Sequence, residues 1–298
     1  MISSPAPVVA VWMLTYNHKR YIAQAIDGVI NQKTSFHFKL YIGEDCSTDG
    51  TREICLEYKI NCPKQIELLL TTKNSIIENS RNTYKACINS GARYIAMCEG
   101  DDYWTDPLKL QKQVDFMEAN PDFAICYHRV EELRVDGTLK TESLNVELNP
   151  KVYTIEDLAK GNMINTPSVL YRNGLIDEFP ILLQEEKTGD YLIHLLNARK
   201  GKIYYMPDVM AVYRVGIGIH GSLSKLSQLN NWAHTLQLLL QIEWTPPVRK
   251  QLMRSLKLIR LIIRRNKYKS IYDIRDAIVR YSGLGRLKKL VTGFKANE

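Results

Sequence analysis

The stretch YIAMCEGDDYW, residues 94–104, runs from apolar residues directly into an acidic cluster. Three carboxylates, those of Glu99, Asp101 and Asp102, lie within four positions. Their mutual repulsion is normally relieved by a cation, by helix-end amides or by exposure to solvent. Carboxylate oxygens suit Mg²⁺ or Mn²⁺, which take one or two protein carboxylates and complete their shell with phosphate and water. The cluster therefore predicts either a divalent-cation site, where Gly100 lets a ligand approach the backbone, or a solvated turn.

A second acidic pair, Glu44 and Asp45, comes directly before a segment rich in Ser, Thr and Asp, residues 47–51. The side chains of that segment favour the N-terminus of a helix, but capping does not explain the two acids that precede it. A carboxylate at this point can accept a hydrogen bond from a base N–H or from a ribose hydroxyl. The pair therefore predicts contact with a nucleotide.

Both acidic clusters follow predicted strands. Apolar runs alternate with helical periodicity up to about residue 100, which predicts βαβ units and a mostly parallel sheet. We expect strands over VVAVWML, FKLYIGE, QIELLL and YIAMCE, and helices over HKRYIAQAIDGVINQ (capped by Asn17), TREICLEYKIN and residues 81–90. Ligands of such sheets bind at the carboxyl ends of the strands. Three polar clusters should then share one edge of the sheet: residues 15–17, 44–45 and 99–102.

The pattern changes beyond Pro107, where we expect a helix, a hairpin with an Asp136-Gly137 turn, a strand, a second helix and a long strand. Their sequences are DPLKLQKQVDFMEANP, FAICYHRVEELRVDGTL, TPSVLYR, DYLIHLLNARKG and KIYYMPDVMAVYRV. From Ser224 onward, Leu, Ile and basic residues recur at helical spacing, interrupted at Pro246 and Pro247. This part of the chain predicts a helical extension.

The composition is that of a globular protein, with 45% hydrophobic residues and no apolar run near the ~20 residues that cross a bilayer. The N-terminus lacks the basic segment of a signal peptide, and its apolar run ends at Leu14. Six cysteines occur without a C-x-x-C pair, which favours reduced thiols over disulfides or a zinc site. We therefore expect a cytoplasmic location.

The net charge of +8 is carried by the C-terminal part of the chain. Residues 225–298 contain 16 Lys and Arg against 4 Asp and Glu, whereas residues 1–224 contain 24 against 28. Four apolar residues of this tail share one face at helical spacing: Leu252, Leu256, Ile259 and Ile263. The pattern predicts either a basic amphipathic helix on an anionic membrane or a helix whose apolar face packs on the preceding domain while its charges are solvated.

Four segments resemble the family 2 glycosyltransferases of the GT-A fold, in the order and spacing of that family: VWMLTYNHKRYIAQAIDGVINQ, YIGEDCSTDGTREI, SRNTYKACINSGARYIAMCEGDDYW and PLKLQKQVDFME. The resemblance covers about residues 8–220. It implies an α/β, Rossmann-like sheet of the nucleotide-diphospho-sugar transferases, mixed and mostly parallel, flanked by helices. We expect the catalytic domain over residues 1–223 and a basic helical extension over residues 224–298.

The resemblance also implies inverting transfer of a sugar from a nucleotide-sugar donor, with a UDP-sugar as our expectation. Donor contacts are implied for nine residues: Thr15, Tyr16, Asn17, Glu44, Asp45, Arg81, Glu99, Asp101 and Asp102. A Mn²⁺ or Mg²⁺ cofactor is implied, with three ligands: Glu99, Asp101 and His220. Glu stands at positions 44 and 99, where the family usually has Asp. Asp101 is therefore the principal metal ligand that the resemblance implies.

The general base is implied as an acid at a helix start after the metal motif. Asp190 opens the predicted helix and matches the spacing, with Glu185 and Glu186 nearby. Capping of that helix by Asp190 is the structural alternative, and the two roles can coexist. Tyr103 and Trp104 either stack on the acceptor sugar or pack in the core, and a loop histidine such as His220 is often only structural.

Two other functions stay open. A metal-dependent sugar nucleotidyltransferase also uses strand-end acids, but LTYNHKRY lacks the glycines that hold a triphosphate. A non-catalytic, basic surface-binding protein would explain the tail and leave the acidic clusters unexplained. The resemblance implies a glycan or lipid-linked acceptor, in cell-surface polysaccharide or lipid-linked glycan synthesis, and no nucleic-acid partner. The basic tail would then attach the protein peripherally to the inner face of the membrane.

Overall fold

The computed structural model describes residues 6–141, 148–176, 189–218 and 222–267. Its strands are β1 (Val9–Thr15), β2 (Phe38–Glu44), β3 (Ile66–Leu70), β4 (Tyr94–Met97), β5 (Tyr103–Trp104), β6 (Phe123–Arg134), β7 (Leu139–Thr141), β8 (Lys151–Tyr153), β9 (Leu170–Arg172) and β10 (Lys202–Val215). Its helices are α1 (Ile22–Ile30), α2 (Thr51–Asn61), α3 (Ile76–Ile88), α4 (Lys109–Ala119), α5 (Ile155–Leu158), α6 (Gly189–Ala198), α7 (Lys225–Leu239) and α8 (Pro246–Lys267), with a 3-10 helix at Thr166–Ser168.

The strands form one mixed sheet in the order β3-β2-β1-β4-β9-β6-β10-β5, with β7 and β8 attached to β6 and β10. Strands β3, β2, β1 and β4 run parallel, as do β6 and β10, while β9 runs antiparallel between the two groups. The carboxyl ends of β1, β2 and β4 therefore meet at one edge of the sheet. This arrangement confirms the α/β fold class expected from the sequence.

Alternate side chains of β1 enter two different cores, because successive residues of a strand point to opposite faces of the sheet. Val9, Val11 and Met13 pack with residues of α1, α2 and α4 on one face. Ala10 and Trp12 pack with residues of α3, α6, α7 and α8 on the other. The sheet is thus covered by helices on both sides, which explains its near-continuous apolar strands.

Helix α2 and strand β10 have the bounds that the sequence predicts, whereas two helix starts differ. Asn17 does not cap α1, which begins at Ile22. Asn17 instead has a positive φ of 54°, and its Oδ1 accepts a hydrogen bond from the Thr48 amide at 2.9 Å. Helix α3 starts earlier than expected, because the Ser75 hydroxyl accepts a hydrogen bond from the Glu78 amide and so caps it.

Helices α7 and α8 share a core with the sheet. The ring of Trp232 in α7 stacks on Tyr191 in α6 at a centroid distance of 4.9 Å. Leu252 and Ile259 in α8 are fully buried in the same cluster. The apolar face that could have lain on a membrane therefore packs on the protein, and the alternative of a packed helix is confirmed for this segment. A domain boundary near residue 223 stays a prediction.

No helix in the described part of the chain is both long and apolar enough to cross a membrane.

Candidate active site

The polar clusters of β1, β2 and β4 are joined by backbone hydrogen bonds at the sheet edge. Thr15, the last residue of β1, lies beside Glu44 in the strand register, and its carbonyl accepts from the Asp45 amide at 3.0 Å. The Gly100 amide donates to the carbonyl of Leu14 at 2.9 Å. The sequence prediction that these clusters share one edge is confirmed.

Gly100 has a packing role at this edge. A Cβ atom at this position would lie 2.6 Å from the Thr15 Oγ1. Glycine is therefore needed so that the acidic loop can pack on the end of β1, and the approach of a ligand to this backbone stays a prediction. Thr15 in turn lies 3.3 Å from the Nδ1 of His18.

Glu99, Asp101 and Asp190 form a concentration of negative charge beside this loop. Burial raises the pKa of Glu99 to about 8, and the charges of Asp101 and Asp190 act in the same direction. Asp190 belongs to the first turn of α6, so a helix far along the chain faces the end of β4. Among the described residues, no Lys, Arg or His lies within 4.0 Å of the carboxylate of Glu99 or Asp101.

His18 lies within electrostatic reach of Asp101. Burial lowers its pKa, although the charges of Asp101 and Asp49 act in the opposite direction. A neutral imidazole can donate from one ring nitrogen and accept at the other. His18 thus adds a polar group, and no full positive charge, to the acidic edge.

Arg214, near the end of β10, holds the acidic loop from the other side. Its guanidinium donates to the Asp101 carbonyl and to the Gln24 Oε1, the latter at 2.5 Å. It is sandwiched between the rings of Tyr21 and Tyr103, each 4.7 Å from the guanidinium carbon. These contacts hold the backbone of Asp101, whose side chain is partly exposed.

Asp102 is buried against β10. Its Oδ1 accepts from the Arg214 amide at 2.7 Å, and only 1% of the residue is exposed. Burial raises the pKa of Asp102, and the neighbouring charge of Asp101 adds to this effect. Asp102 therefore anchors the loop to the sheet, while direct contact with a donor stays a prediction from the sequence.

The segment after β10 folds over Asp101. Gly218 has a φ of +73°, and a Cβ atom there would lie 2.7 Å from the Asp101 Oδ2. Both the backbone conformation and the close approach require glycine. His220, which the sequence places in this segment as a metal ligand, lies outside the described residues, as do Glu185 and Glu186.

The acidic edge fits a divalent cation that takes only part of its shell from protein. Glu99 and Asp101 supply the hard oxygen ligands that Mg²⁺ and Mn²⁺ prefer. Their clustered charge, visible in the raised pKa of Glu99, would be offset by a cation. Within the described ranges, no three His, Cys, Asp or Glu side chains form a closed metal-binding group. Such a shell leaves positions for phosphate oxygens and water.

The acids at the end of β2 have protein partners. Glu44 is fully buried, its Oε2 lies 2.5 Å from the Arg52 Nε, and its Oε1 accepts from the Ser47 amide at 2.7 Å. Asp45 accepts from the Ser75 amide at 2.8 Å and from the Thr71 hydroxyl at 3.1 Å. Burial raises the pKa of Asp45, against these hydrogen bonds. Both acids thus hold neighbouring loops in place through hydrogen bonds, and their contact with a nucleotide stays a prediction.

Asp190 lies in the first turn of α6 and is partly exposed. Its Oδ1 accepts from the Tyr191 amide at 2.8 Å, and its Oδ2 accepts from the Asn162 Nδ2 at 3.1 Å. About a fifth of its side chain, 20%, is exposed. The roles of helix cap and general base both stay predictions for Asp190, and the exposed part of its carboxylate is available for proton transfer.

The remaining predicted residues lie around this edge. Tyr16 is half-buried, and Arg81 is exposed on α3, so their donor contacts stay predictions. Trp104 is buried, donates from Nε1 to the Pro167 carbonyl at 2.8 Å and lies under the Lys109 amine. Core packing is thus correct for Trp104. Tyr103 is half-buried against Arg214.

Sequence patterns alone assign no role to Arg214, Gly218 or His194. Arg214 follows a tyrosine in the segment YRVGIGIHG, which was the only local signal at that point. Their importance depends on contacts with residues that are distant in the chain.

Comparison with known proteins gives a family and a fold. Residues 10–216 match glycosyl transferase family 2. An uncharacterized protein of Mycobacterium tuberculosis is 34% identical over 208 residues, which are 69% of this chain and 58% of that protein. The putative teichuronic acid biosynthesis glycosyltransferase TuaG of Bacillus subtilis is 29% identical over 231 residues, covering 76% of this chain and 83% of the relative. The chain thus spans just over half the length of the mycobacterial relative.

Among solved structures, the mannosyltransferase PcManGT of Pyrobaculum calidifontis, in complex with GDP-Man and Mn²⁺, superposes with a TM-score of 0.62. The similarity covers 98% of this chain and 81% of that one, at 15% sequence identity. At this identity the likeness concerns the fold, which is that of the GT-A enzymes expected from the sequence.

Proposed function

The chain belongs to glycosyl transferase family 2, and from that premise we propose that it transfers a sugar from a nucleotide diphosphate sugar to an acceptor hydroxyl, with inversion at the anomeric carbon. The observation that carries the proposal is the meeting of Glu99, Asp101 and Asp190 at one sheet edge. Family membership favours this activity over the nucleotidyltransferase and over a non-catalytic surface-binding protein.

Asp101 and Glu99 would hold the divalent cation. When bound, the cation supplies charge that offsets the diphosphate leaving group. Arg214 keeps the Asp101 backbone in place through its guanidinium, and Gly218 allows the segment after β10 to lie directly over the Asp101 carboxylate. Together these residues would hold the cation that neutralises the diphosphate.

Asp190 is the general base of this proposal. The acceptor oxygen attacks the anomeric carbon, the bond from that carbon to the diphosphate breaks, and the hydroxyl proton passes to the Asp190 carboxylate. Asn162 and the Tyr191 amide each hold one oxygen of that carboxylate. Proton acceptance therefore occurs at a fixed place, across the cleft from Glu99.

A UDP-sugar is the donor that the sequence resemblance implies, and GDP-mannose is the second candidate because the Pyrobaculum structure contains it. For the acceptor we propose a growing cell-surface polysaccharide or a lipid-linked glycan, since TuaG is named for teichuronic acid biosynthesis. Polysaccharide acceptors present the hydroxyl nucleophile that Asp190 requires.

We also propose peripheral attachment to an anionic membrane through the outward face of α8. Six exposed basic residues lie on this helix: Arg249, Lys250, Arg254, Lys257, Arg260 and Arg264. The helix contains no Asp or Glu. Each basic residue near an anionic bilayer contributes about 1 kcal/mol, so this face can dock by charge although its apolar side is buried in the protein.

Membrane attachment is tested by co-sedimentation with vesicles of phosphatidylglycerol and phosphatidylcholine. The full chain should bind anionic vesicles, release at high salt, and lose binding in the variant Lys250→Glu, Arg254→Glu, Lys257→Glu. Absence of binding at low salt would contradict the attachment without touching the proposed transfer.

The transfer is tested with UDP-glucose, UDP-N-acetylglucosamine and GDP-mannose. In the presence of Mn²⁺, one of these donors at 100 times its Kd should raise the free energy of unfolding by about 2.7 kcal/mol. The same donor should be slowly hydrolysed, and Asp190→Asn should slow hydrolysis by about 10²–10⁴-fold without weakening donor binding. Full activity of that variant would remove Asp190 from the proposal.

A further inference from the structure

A buried histidine lies directly behind the proposed base. His194 is one helical turn after Asp190 on α6 and is completely buried. Its Nε2 lies 3.9 Å from the Asp190 Oδ2. This distance is too long for a hydrogen bond, but it places the imidazole edge against the carboxylate oxygen that Asn162 also holds.

The other side of the imidazole is fixed by a tyrosine. The Tyr171 hydroxyl in β9 is hydrogen-bonded to the His194 Nδ1 and lies 3.5 Å from the Met97 Sδ at the end of β4. Tyr171 is 3% exposed, and burial raises the pKa of its hydroxyl well above the ordinary value. The hydroxyl has one proton, which either the Met97 Sδ or the His194 Nδ1 can accept. Because a thioether sulfur is the weaker acceptor, we assign this proton to the bond with Nδ1, and the single proton of a neutral imidazole then sits on Nε2.

We propose that His194, oriented by Tyr171, is a positioning residue that holds the Asp190 carboxylate in the place needed to accept a proton. The inference rests on the proposed role of Asp190 as the base. In this tautomer the protonated Nε2 lies 3.9 Å from the Asp190 Oδ2, while Glu99 is within electrostatic reach of both Asp101 and Asp190. Without that N–H group, repulsion from the neighbouring acids would turn the carboxylate away from this place.

The arrangement also connects the two halves of the site. Met97 ends the strand that leads into Glu99, and His194 lies on the helix that begins at Asp190. The path from Met97 through Tyr171 and His194 to Asp190 crosses β4, β9 and α6. A fixed imidazole tautomer is what a neighbouring carboxylate needs for a constant orientation, so the relative placement of acid and base depends on this path.

Three substitutions separate positioning from simple packing. His194→Phe keeps an aromatic ring and removes both nitrogens, and it should lower kcat for donor hydrolysis by about 10–100-fold with the donor KM within twofold. His194→Gln places an amide N–H near the Nε2 position and should retain kcat within about fivefold. Tyr171→Phe removes only the hydroxyl and should lower kcat by about 3–10-fold.

His128→Gln is the matched control. His128 is also a completely buried histidine, on β6, and its Nδ1 lies 2.8 Å from the Arg129 carbonyl. Its replacement should cost stability and leave kcat within twofold. A general packing effect of removing a buried imidazole would lower kcat in this control as well, and that result would overturn the proposal.

The decisive measurement repeats His194→Phe and Tyr171→Phe in the Asp190→Asn background. Both should change the residual kcat by less than twofold there, because the group they position is no longer a base. An equal loss in both backgrounds, or no loss in the parent, would overturn the inference while leaving Asp190 as the base. If Asp190→Asn itself has no effect, the proposed role of Asp190 fails, and the inference fails with it. Should His194→Phe not fold, Tyr171→Phe decides by the same comparison.

Discussion

Two pairs of acids lie at the ends of β2 and β4 in the same sheet, and the surroundings of the two pairs differ. Glu44 and Asp45 follow β2 and are enclosed by protein donors, among them Arg52. Glu99 and Asp101 follow β4 and, of the described residues, have no basic side chain within ion-pair distance of their carboxylates. Sequence position alone makes the pairs look equivalent. Glu44 and Asp45 therefore hold loops in place, whereas no basic side chain among the described residues offsets the charge of Glu99 and Asp101.

The difference shows how to find a ligand site among strand-end carboxylates. Hydrogen bonds from protein donors offset part of the cost of burying an acid, so such an acid does not depend on an added cation. Acids that face one another without a cation cost energy in the free protein, and a ligand that supplies positive charge recovers that energy. Glu99, with a pKa raised to about 8, is such an acid.

The largest effect is expected for Asp101→Asn. The variant keeps the side-chain size and the backbone contact with Arg214, but it loses the charge that would hold the cation. Turnover of the nucleotide-sugar donor should fall by about 10³-fold, and the Mn²⁺ dependence of donor binding should disappear. Steady-state hydrolysis and thermal shift with and without Mn²⁺ measure both. Normal turnover of the variant in EDTA would mean that this acidic pair binds no metal.

Gly218→Ala should have the next largest effect, because it pushes a methyl group against the Asp101 carboxylate. We expect turnover to fall by about 10–100-fold, while the backbone strain costs only about 1 kcal/mol of stability. Gly137→Ala is the control, since Gly137 also has a positive φ but has no atom within 4 Å of its Cβ position. Equal turnover in the two variants would show that the approach to Asp101 is not needed.

Replacing one acid of each pair by glutamine should change the free energy of unfolding in opposite directions. In the folded protein the pKa of Glu99 is raised to about 8, while the unfolded chain ionises near pH 4.3. Between these values the folded state holds a proton that the unfolded state has released, so stability falls as pH rises. Glu99→Gln should therefore remove this slope and raise stability near pH 7 by about 1–2 kcal/mol, after allowance for solvent screening.

Glu44→Gln should instead lower stability, by about 1–3 kcal/mol, because a charged hydrogen-bond acceptor of Arg52 is lost. Urea unfolding of both variants between pH 5 and 8, without Mn²⁺, measures the contrast. If Glu44→Gln weakened donor binding at unchanged stability, the contact with a nucleotide that the sequence predicts would be correct.

Elements of this fold could be predicted from sequence, because apolar periodicity fixes which segments become strands and helices. The bounds of α2 and β10 agree with the prediction residue for residue. Helix starts are less predictable from sequence. Asn17 does not cap α1, because its side chain accepts a hydrogen bond from Thr48 on a different loop. Local helix propensity does not predict a hydrogen bond from a backbone amide 31 residues further along the chain.

The candidate site could be predicted only in outline. The acids at positions 44, 45, 99 and 101 stand out in the sequence, but the partners that distinguish the two pairs do not. Asp45 accepts hydrogen bonds from Thr71 and Ser75, which follow β3. His194 on α6 is hydrogen-bonded to Tyr171 on β9. These contacts depend on the order of strands in the sheet. Only the three-dimensional structure therefore distinguishes the acids that have protein partners from those that lie close to other acids.

The smallest effect is expected for Thr71→Val, which removes one hydroxyl that contacts both the Glu44 carbonyl and the Asp45 carboxylate. The Thr71 hydroxyl lies 3.1 Å from the Asp45 Oδ1 and is buried. Its loss should cost about 1 kcal/mol of unfolding free energy and change donor turnover by less than threefold. Thr34→Val is the control, because the Thr34 hydroxyl donates to the neutral carbonyl of Phe36 and should cost less. Unchanged stability with weaker donor binding would mean that Asp45 serves the nucleotide, and the contrast between the two pairs would then be one of degree.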